Sequence, residues 1–199
     1  MTFELQNLVD ELKIYRHGIQ RHMSVFSHTS RGERLALYQL ASILPPNARA
    51  LEIGSHIGSS ALFICAGLAR VHGHLICVDT WMNETMPDGA KDTFAEFQAN
   101  TAPYRSMITQ IRKMSGEITD ADIGGPLDFA FIDGDHGEVA VREDFRRVAP
   151  WVKVGGYIAF HDLDPLFPGV SIVFGEALAS GSWQIVRIVR SLAVLRRVS

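Results

Sequence analysis

Apolar residues recur at helical spacing over 3–15. There Phe3, Leu5, Leu8, Val9, Leu12 and Tyr15 are interleaved with Glu4, Asp10, Glu11 and Lys13, which predicts an amphipathic helix. A polar stretch, 17–30, separates it from a second helix over 32–44. Ser30 caps that helix, and Pro45 and Pro46, which cannot continue a helical ladder, stop it. From residue 48 the period changes. Short apolar runs at 48–53, 74–78, 107–112, 127–132 and 157–160 alternate with helical segments near 59–70, 91–100 and 138–151. This alternation requires crossover connections, and hence a mostly parallel sheet covered on both faces. A further helix near 170–180 precedes two strands, 183–189 and 192–197, whose short link Arg190-Ser191 makes them antiparallel to each other. The expected fold is α/β: a doubly wound domain over 46–199 with an N-terminal helical cap over 1–45, together one structural unit.

The 199 residues are 47% hydrophobic and 21% charged, enough apolar surface to offset the entropy of ordering, which excludes a disordered chain. No apolar run approaches the roughly 20 residues of a membrane span. The first residues carry Glu4 where a secretory signal has bases, so the expected location is cytoplasmic. A net charge of -3 leaves no electrostatic footprint for nucleic acid or an anionic membrane, and Arg187, Arg190, Arg196 and Arg197 read as a solvated face. Cys65 and Cys77 sit in apolar stretches without metal-site spacing and read as buried, reduced thiols. The apolar side of the first helix makes a homodimer an expectation.

Candidate chemistry collects at the strand ends. The run Leu51-Glu52-Ile53 leads into Gly54-Ser55-His56-Ile57-Gly58 and then a helix. Gly54 and Gly58 let backbone approach a ligand closely, and the start of the helix offers free N–H groups. The spacing is GxxxG rather than GxGxxG, and no GK[ST] follows, which disfavours dinucleotides and nucleoside triphosphates. Asp79 ends the next run about 20 residues further on, where an open α/β sheet presents an acid to a ribose diol. Together these features indicate a nucleoside-type ligand. A second cluster, Asp133, Asp135, His136, His161 and Asp162, ends the fourth and fifth runs at the same carboxyl edge. The other histidines read differently: His72 and His74 open a strand at the opposite edge, while His17, His22 and His28 share no helical face.

Glu52 before the first glycine, Asp79 after the second strand and Asp133 after the fourth resemble the pattern of class I S-adenosylmethionine-dependent methyltransferases over residues 33–199. More narrowly, Val78-Asp79-Thr80-Trp81, Phe131-Ile132-Asp133-Gly134-Asp135-His136 and Phe160-His161-Asp162 resemble the branch of macrocin-type sugar O-methyltransferases and cephalosporin-hydroxylase-like proteins, although this chain is shorter and lacks much of their lid. The resemblance implies a Rossmann-like sheet and methyl transfer from S-adenosylmethionine to a hydroxyl oxygen of a small molecule. By the same resemblance Glu52 faces the methionine amino end, Gly54 and Ser55 pass beneath the cofactor, and Asp79 holds the ribose. Thr80 and Trp81 would lie near the adenosine, Ser115 near the adenine and Asp133 below the sulfonium; Trp81 reads equally as an aromatic covering the sheet edge.

In the sugar-methylating relatives, acids after the fourth and fifth strands hold magnesium, and the positions carried over are Asp133, His161 and Asp162. His161 stands where a carboxylate is usual. That leaves two routes open: assistance by Mg²⁺ or Mn²⁺, or direct proton removal by a histidine, His136 or His161, beside Asp133. The loops 81–104 and 163–169 are expected to shape the acceptor pocket, with Met82, Met86, Phe94 and Phe167 as apolar walls. Two rival readings stand beside this one. One is a non-catalytic nucleoside-binding module; the other is an NAD-dependent oxidoreductase, which needs the missing GxGxxG.

Overall fold

The structure, a computed structural model, describes residues 3–83 and 89–199, with the backbone alone for 3–6; Met86 lies outside the described residues. Helices α1 (Phe3–Arg16) and α2 (Arg31–Ser42) precede the sheet. Ser30 opens α2 through a capping box: its hydroxyl accepts the Glu33 N–H, and its own N–H donates to the Glu33 carboxylate. Strand β1 (Arg49–Ile53) is followed by α3 (Ser59–Leu68), β2 (His74–Asp79), α4 (Phe94–Thr101) and β3 (Ile108–Arg112). Then come α5 (Asp120–Ile123), β4 (Leu127–Ile132), α6 (Glu138–Val148), β5 (Val152–Phe160), α7 (Pro168–Ala179), β6 (Trp183–Val189) and β7 (Leu192–Arg197).

The strands form one sheet in the order β3-β2-β1-β4-β5-β7-β6. The pairs among β1–β5 are parallel, and β7 runs antiparallel to both β5 and β6. The chain reverses its winding direction between β1 and β4, and the carboxyl ends of strands at such a switch point form a crevice. Alternation along each strand divides the core between two faces. Leu51, Ile53, Val78, Ile132 and Phe160 pack with residues of α6 and α7, whereas Ala50, Cys77, Phe129, Phe131 and Ala159 pack with residues of α2 and α3. Burial on both faces explains why these strands read as continuous apolar runs.

Ile14 of α1 clusters with Leu35, Tyr38, Leu62 and Phe63, leaving Leu8, Leu12 and Tyr15 exposed. Cys65 and Cys77 are free and buried, and burial pushes both thiols well above their ordinary pKa. Among the described residues, no helix is long and apolar enough to cross a membrane.

Two elements differ from the sequence expectation. Strand β5 starts at Val152 rather than 157: Gly155 adopts a left-handed conformation (φ +85°), and the pairing with β4 shifts register between Leu127 and Phe129, so the strand continues through a bulge. Helix α5 was not expected, since four residues are too few to display a helical period; a Thr119–Asp122 capping box stabilises it.

Candidate active site

The turn after β1 is held by close backbone packing. Gly54 has φ +86°, and a Cβ there would lie 2.0 Å from the carbonyl oxygen of Asp133. Gly58, at φ +87°, would meet Thr101 at 2.6 Å. Both glycines are therefore required by the chain's contacts with itself. Gly54 also lines the cleft, but Gly58 does not, which corrects the expectation that both approach a ligand.

Among the described residues, two adjoining cavities at the carboxyl edge share a wall. The first, ≈ 350 Å³, runs past Gly54, Asp79, Thr80, Ser115, Asp133 and Asp144. The second, ≈ 380 Å³, is bounded by Phe26, His28, Ser55, His136, His161 and Phe167. Gly54, His56, Asp133 and Gly134 line both, so the two meet above the ends of β1 and β4.

Asp79 is fixed in the first cavity. Its Oδ2 accepts the His56 N–H at 2.7 Å and its Oδ1 accepts the Trp81 N–H at 2.6 Å. An ionised carboxylate has roughly four acceptor sites, so both oxygens keep capacity for a diol. Trp81 does not line the cleft. Its fully buried ring packs 4.8 Å from both Phe94 and Phe97, and its indole N–H donates to the His56 carbonyl at 2.8 Å. Of its two readings, the structural one describes the side chain, and Phe94 belongs to the same packing. Glu52 is also withdrawn: completely buried, it lines neither cavity, and burial lifts its carboxyl to about 7 despite Ser55 and Ser60 beside it.

The second cluster comes together as the sequence reading expected, in a different order. His136 Nε2 lies 2.7 Å from Asp162 Oδ2, and His161 Nδ1 lies 3.1 Å from both Asp133 Oδ1 and Asp162 Oδ2. On its other side, His161 Nε2 lies 3.5 Å from Glu33 Oε2. These ring nitrogens are buried and approach the carboxylates without hydrogen-bond geometry. Burial disfavours a charge on His161, but Asp133, Asp162 and Glu33 outweigh it and push its pKa up to about 12. Carboxylates on both sides of the ring favour its protonated form, which weakens His161 as a base. His136 is raised as well, chiefly by Asp162, yet it is a third exposed and lines the second cavity. One atom each from Asp133, His136 and Asp162 falls within 4.8 Å of the others, so His136 joins the two acids in a metal-sized group, and His161 Nδ1 stands 3.1 Å from both of those acids. Asp135 closes a turn by accepting the Gly137 N–H at 2.6 Å.

Residues 51–163, more than half of the chain, match the model of a family described as a methyltransferase domain. The chain belongs to this family. It is a class I S-adenosylmethionine-dependent methyltransferase. Solved structures share its fold. The O-methyltransferase NovP aligns at TM-score 0.69 and 17% identity, over 87% of this chain and 84% of that one. SAH-bound Podospora anserina methyltransferase PaMTH1 aligns at TM-score 0.69 and 13% identity, over 100% and 97%. Apo CalS11, a TDP-rhamnose 3'-O-methyltransferase of calicheamicin biosynthesis, aligns at 0.62 and 17%, over 96% and 86%.

Three residues in or behind the cleft of this methyltransferase have no functional signal in the sequence reading: Asp144 and His56 line it, and Glu33 lies behind it. Asp144 of α6 is buried at the first cavity, where burial raises its carboxyl to about 6. His56 sits at the junction of both cavities in a left-handed conformation, φ +43°. Glu33 was visible only as the fourth residue of a capping sequence. Of the histidines set aside, His22 is buried against Tyr104 and His74 bonds Thr109, whereas His28 lines the second cavity.

Proposed function

We propose that this methyltransferase transfers a methyl group to a hydroxyl oxygen of a small molecule bound in the second cavity. The observation that carries this reading is the shared wall: the donor cleft along Asp79 meets, at Asp133, a cavity whose far side bears His136, His161 and Asp162. S-adenosylmethionine lies in the first cavity with its ribose on Asp79. The acceptor lies between Phe26 and His28 on one side and His136 and Phe167 on the other. The acceptor oxygen attacks the methyl carbon, the C–S bond breaks as the C–O bond forms, and S-adenosylhomocysteine leaves. His136 takes the hydroxyl proton, oriented through Nε2 by Asp162 so that its other ring nitrogen is the acceptor.

A second feature supports an alternative route, metal assistance, in which His136 serves as a ligand rather than as the proton acceptor. Asp133, His136 and Asp162 converge, and the buried ring nitrogens have contacts but no hydrogen bonds, as ligands arranged around a cation do. Two carboxylates and an imidazole fit a divalent transition metal such as Mn²⁺ better than Mg²⁺, which favours oxygen donors. Such an ion supplies charge that lowers the acceptor hydroxyl's pKa.

The test is transfer of labelled methyl from S-adenosylmethionine to a panel of phenols, sugars, hydroxy acids and amines, with and without EDTA. Label on hydroxyl compounds supports the reading, and label on amines alone overturns it. Loss of turnover in EDTA, restored by Mn²⁺ more than by Mg²⁺, supports the metal; full turnover in EDTA overturns the metal and leaves His136 as the proton acceptor.

A further inference from the structure

The carboxylate of Glu33 is 3% exposed, yet it lies on α2, outside the family-wide stretch 51–163. Burying a carboxylate is costly unless its oxygens are satisfied. Here they are, by two separate parts of the chain. Oε2 accepts the Ser30 N–H at 2.7 Å. Oε1 accepts both the N–H and the hydroxyl of Ser191, at 2.9 and 2.8 Å. A third part, His161, approaches as an ion pair: its Nε2 stands 3.5 Å from Oε2 without hydrogen-bond geometry. Ser191 is at the tip of the β6–β7 hairpin beside Arg190, whose left-handed backbone (φ +55°) makes the turn, and it too lies outside the matched stretch.

The placement follows from topology. Strand β7 runs antiparallel to β5, with Ala193 opposite Phe160, so the hairpin tip arrives at the end of β5 where His161 begins the active-site loop. The first turn of α2 comes to the same point. His161 is thus enclosed: Glu33 faces Nε2, Asp133 and Asp162 face Nδ1, and Phe131 meets the ring edge to face at 6.3 Å.

We propose that Glu33 is a positioning residue for catalysis, fixing the His161 ring so that Nδ1 faces Asp133 and Asp162, and that Ser191 fixes Glu33 in turn. Glu33 touches neither cavity; it acts through His161. This inference rests on the reading that Asp133, His136, His161 and Asp162 form the reaction centre. A helix-capping role alone makes a different prediction, because glutamine serves at that position of a capping box as well as glutamate does.

The experiment uses the full chain with Glu33→Gln and Ser191→Ala. Four quantities are compared with wild type: S-adenosylmethionine Kd by calorimetry, kcat and KM for a hydroxyl acceptor found in the panel, thermal unfolding, and the ¹⁵N resonances of the His161 ring. Glu33→Gln is expected to keep Kd within about twofold, lower kcat about 10–100-fold, as loss of an outer partner of a site residue does, and move the His161 resonances. Ser191→Ala, which loses one hydrogen bond, should move kcat in the same direction by about 2–10-fold.

A folded Glu33→Gln with wild-type kcat, or with unmoved His161 resonances, overturns the proposal. If Glu33→Gln does not fold, Ser191→Ala decides by the same two readouts. If wild type methylates no hydroxyl compound, the reading of the acceptor fails by itself, and the His161 resonances still decide whether Glu33 sets that ring.

Discussion

His136 Nε2 and Asp162 Oδ2 stand 2.7 Å apart, joining the loop after β4 to the loop after β5 across the mouth of the second cavity. In the proposed mechanism this contact ties the proton acceptor to the carboxylate that orients it. Replacing His136 by Ala should lower kcat by about 10²–10⁴-fold, the usual range for a lost general base, while S-adenosylmethionine affinity is retained. The neutral imidazole is the competent form, and Asp162 raises its pKa, so kcat should climb with pH to a plateau beyond the ordinary histidine range. Asp162→Asn should move that climb to lower pH. A pH–rate profile checks both, and an unchanged profile in Asp162→Asn places the proton acceptor elsewhere.

Asp79→Ala removes the proposed ribose partner and releases the N–H groups of His56 and Trp81. Cofactor binding should weaken by about 1.5–3 kcal/mol, the range for hydrogen bonds to a charged group. Calorimetry with S-adenosylhomocysteine measures this without turnover; wild-type affinity would put the ribose away from Asp79.

Gly54→Ala sets a methyl group 2.0 Å from the Asp133 carbonyl oxygen in a left-handed conformation. The combined strain should reduce stability by about 2–4 kcal/mol and displace Asp133, weakening cofactor binding too. Urea unfolding reads the first effect. A loss below about 0.5 kcal/mol, inside the noise of ordinary surface changes, would mean that the turn relaxes freely.

Burial raises the Glu52 carboxyl from 4.5 to about 7. Between those values the folded state binds the proton and the unfolded state has released it, so stability falls as pH rises through the window. The fall attributable to Glu52 amounts to about 3 kcal/mol. Glu52→Gln, neutral throughout, should gain that much relative to wild type between pH 4 and pH 8 (roughly one unit outside each pKa). Parallel stability curves for the two proteins would show that Glu52 does not carry the shift.

The order of strands and helices was readable because it rests on local periodicity: 127–132, 183–189 and 192–197 coincide with β4, β6 and β7. So was the edge at which chemistry collects, since every strand of a parallel sheet delivers its carboxyl end to the same side. The bulged start of β5 was not readable, because Gly155 and Gly156 interrupt the apolar run and only pairing with β4 shows that the strand passes through them.

The sequence by itself determined the α/β order, the carboxyl-edge position of Asp79, Asp133, His136, His161 and Asp162, and the methyltransferase pattern they form, because each depends on the neighbours of a residue along the chain. Only the tertiary structure decided which way those side chains serve. It withdrew Trp81 and Glu52 into the core, set His136 against Asp162 and His161 between Asp133 and Asp162, and brought Glu33 and Ser191, 158 residues apart, onto one another. Those outcomes depend on strand order and on burial among charges from distant segments, and neither leaves a local periodic trace in the sequence.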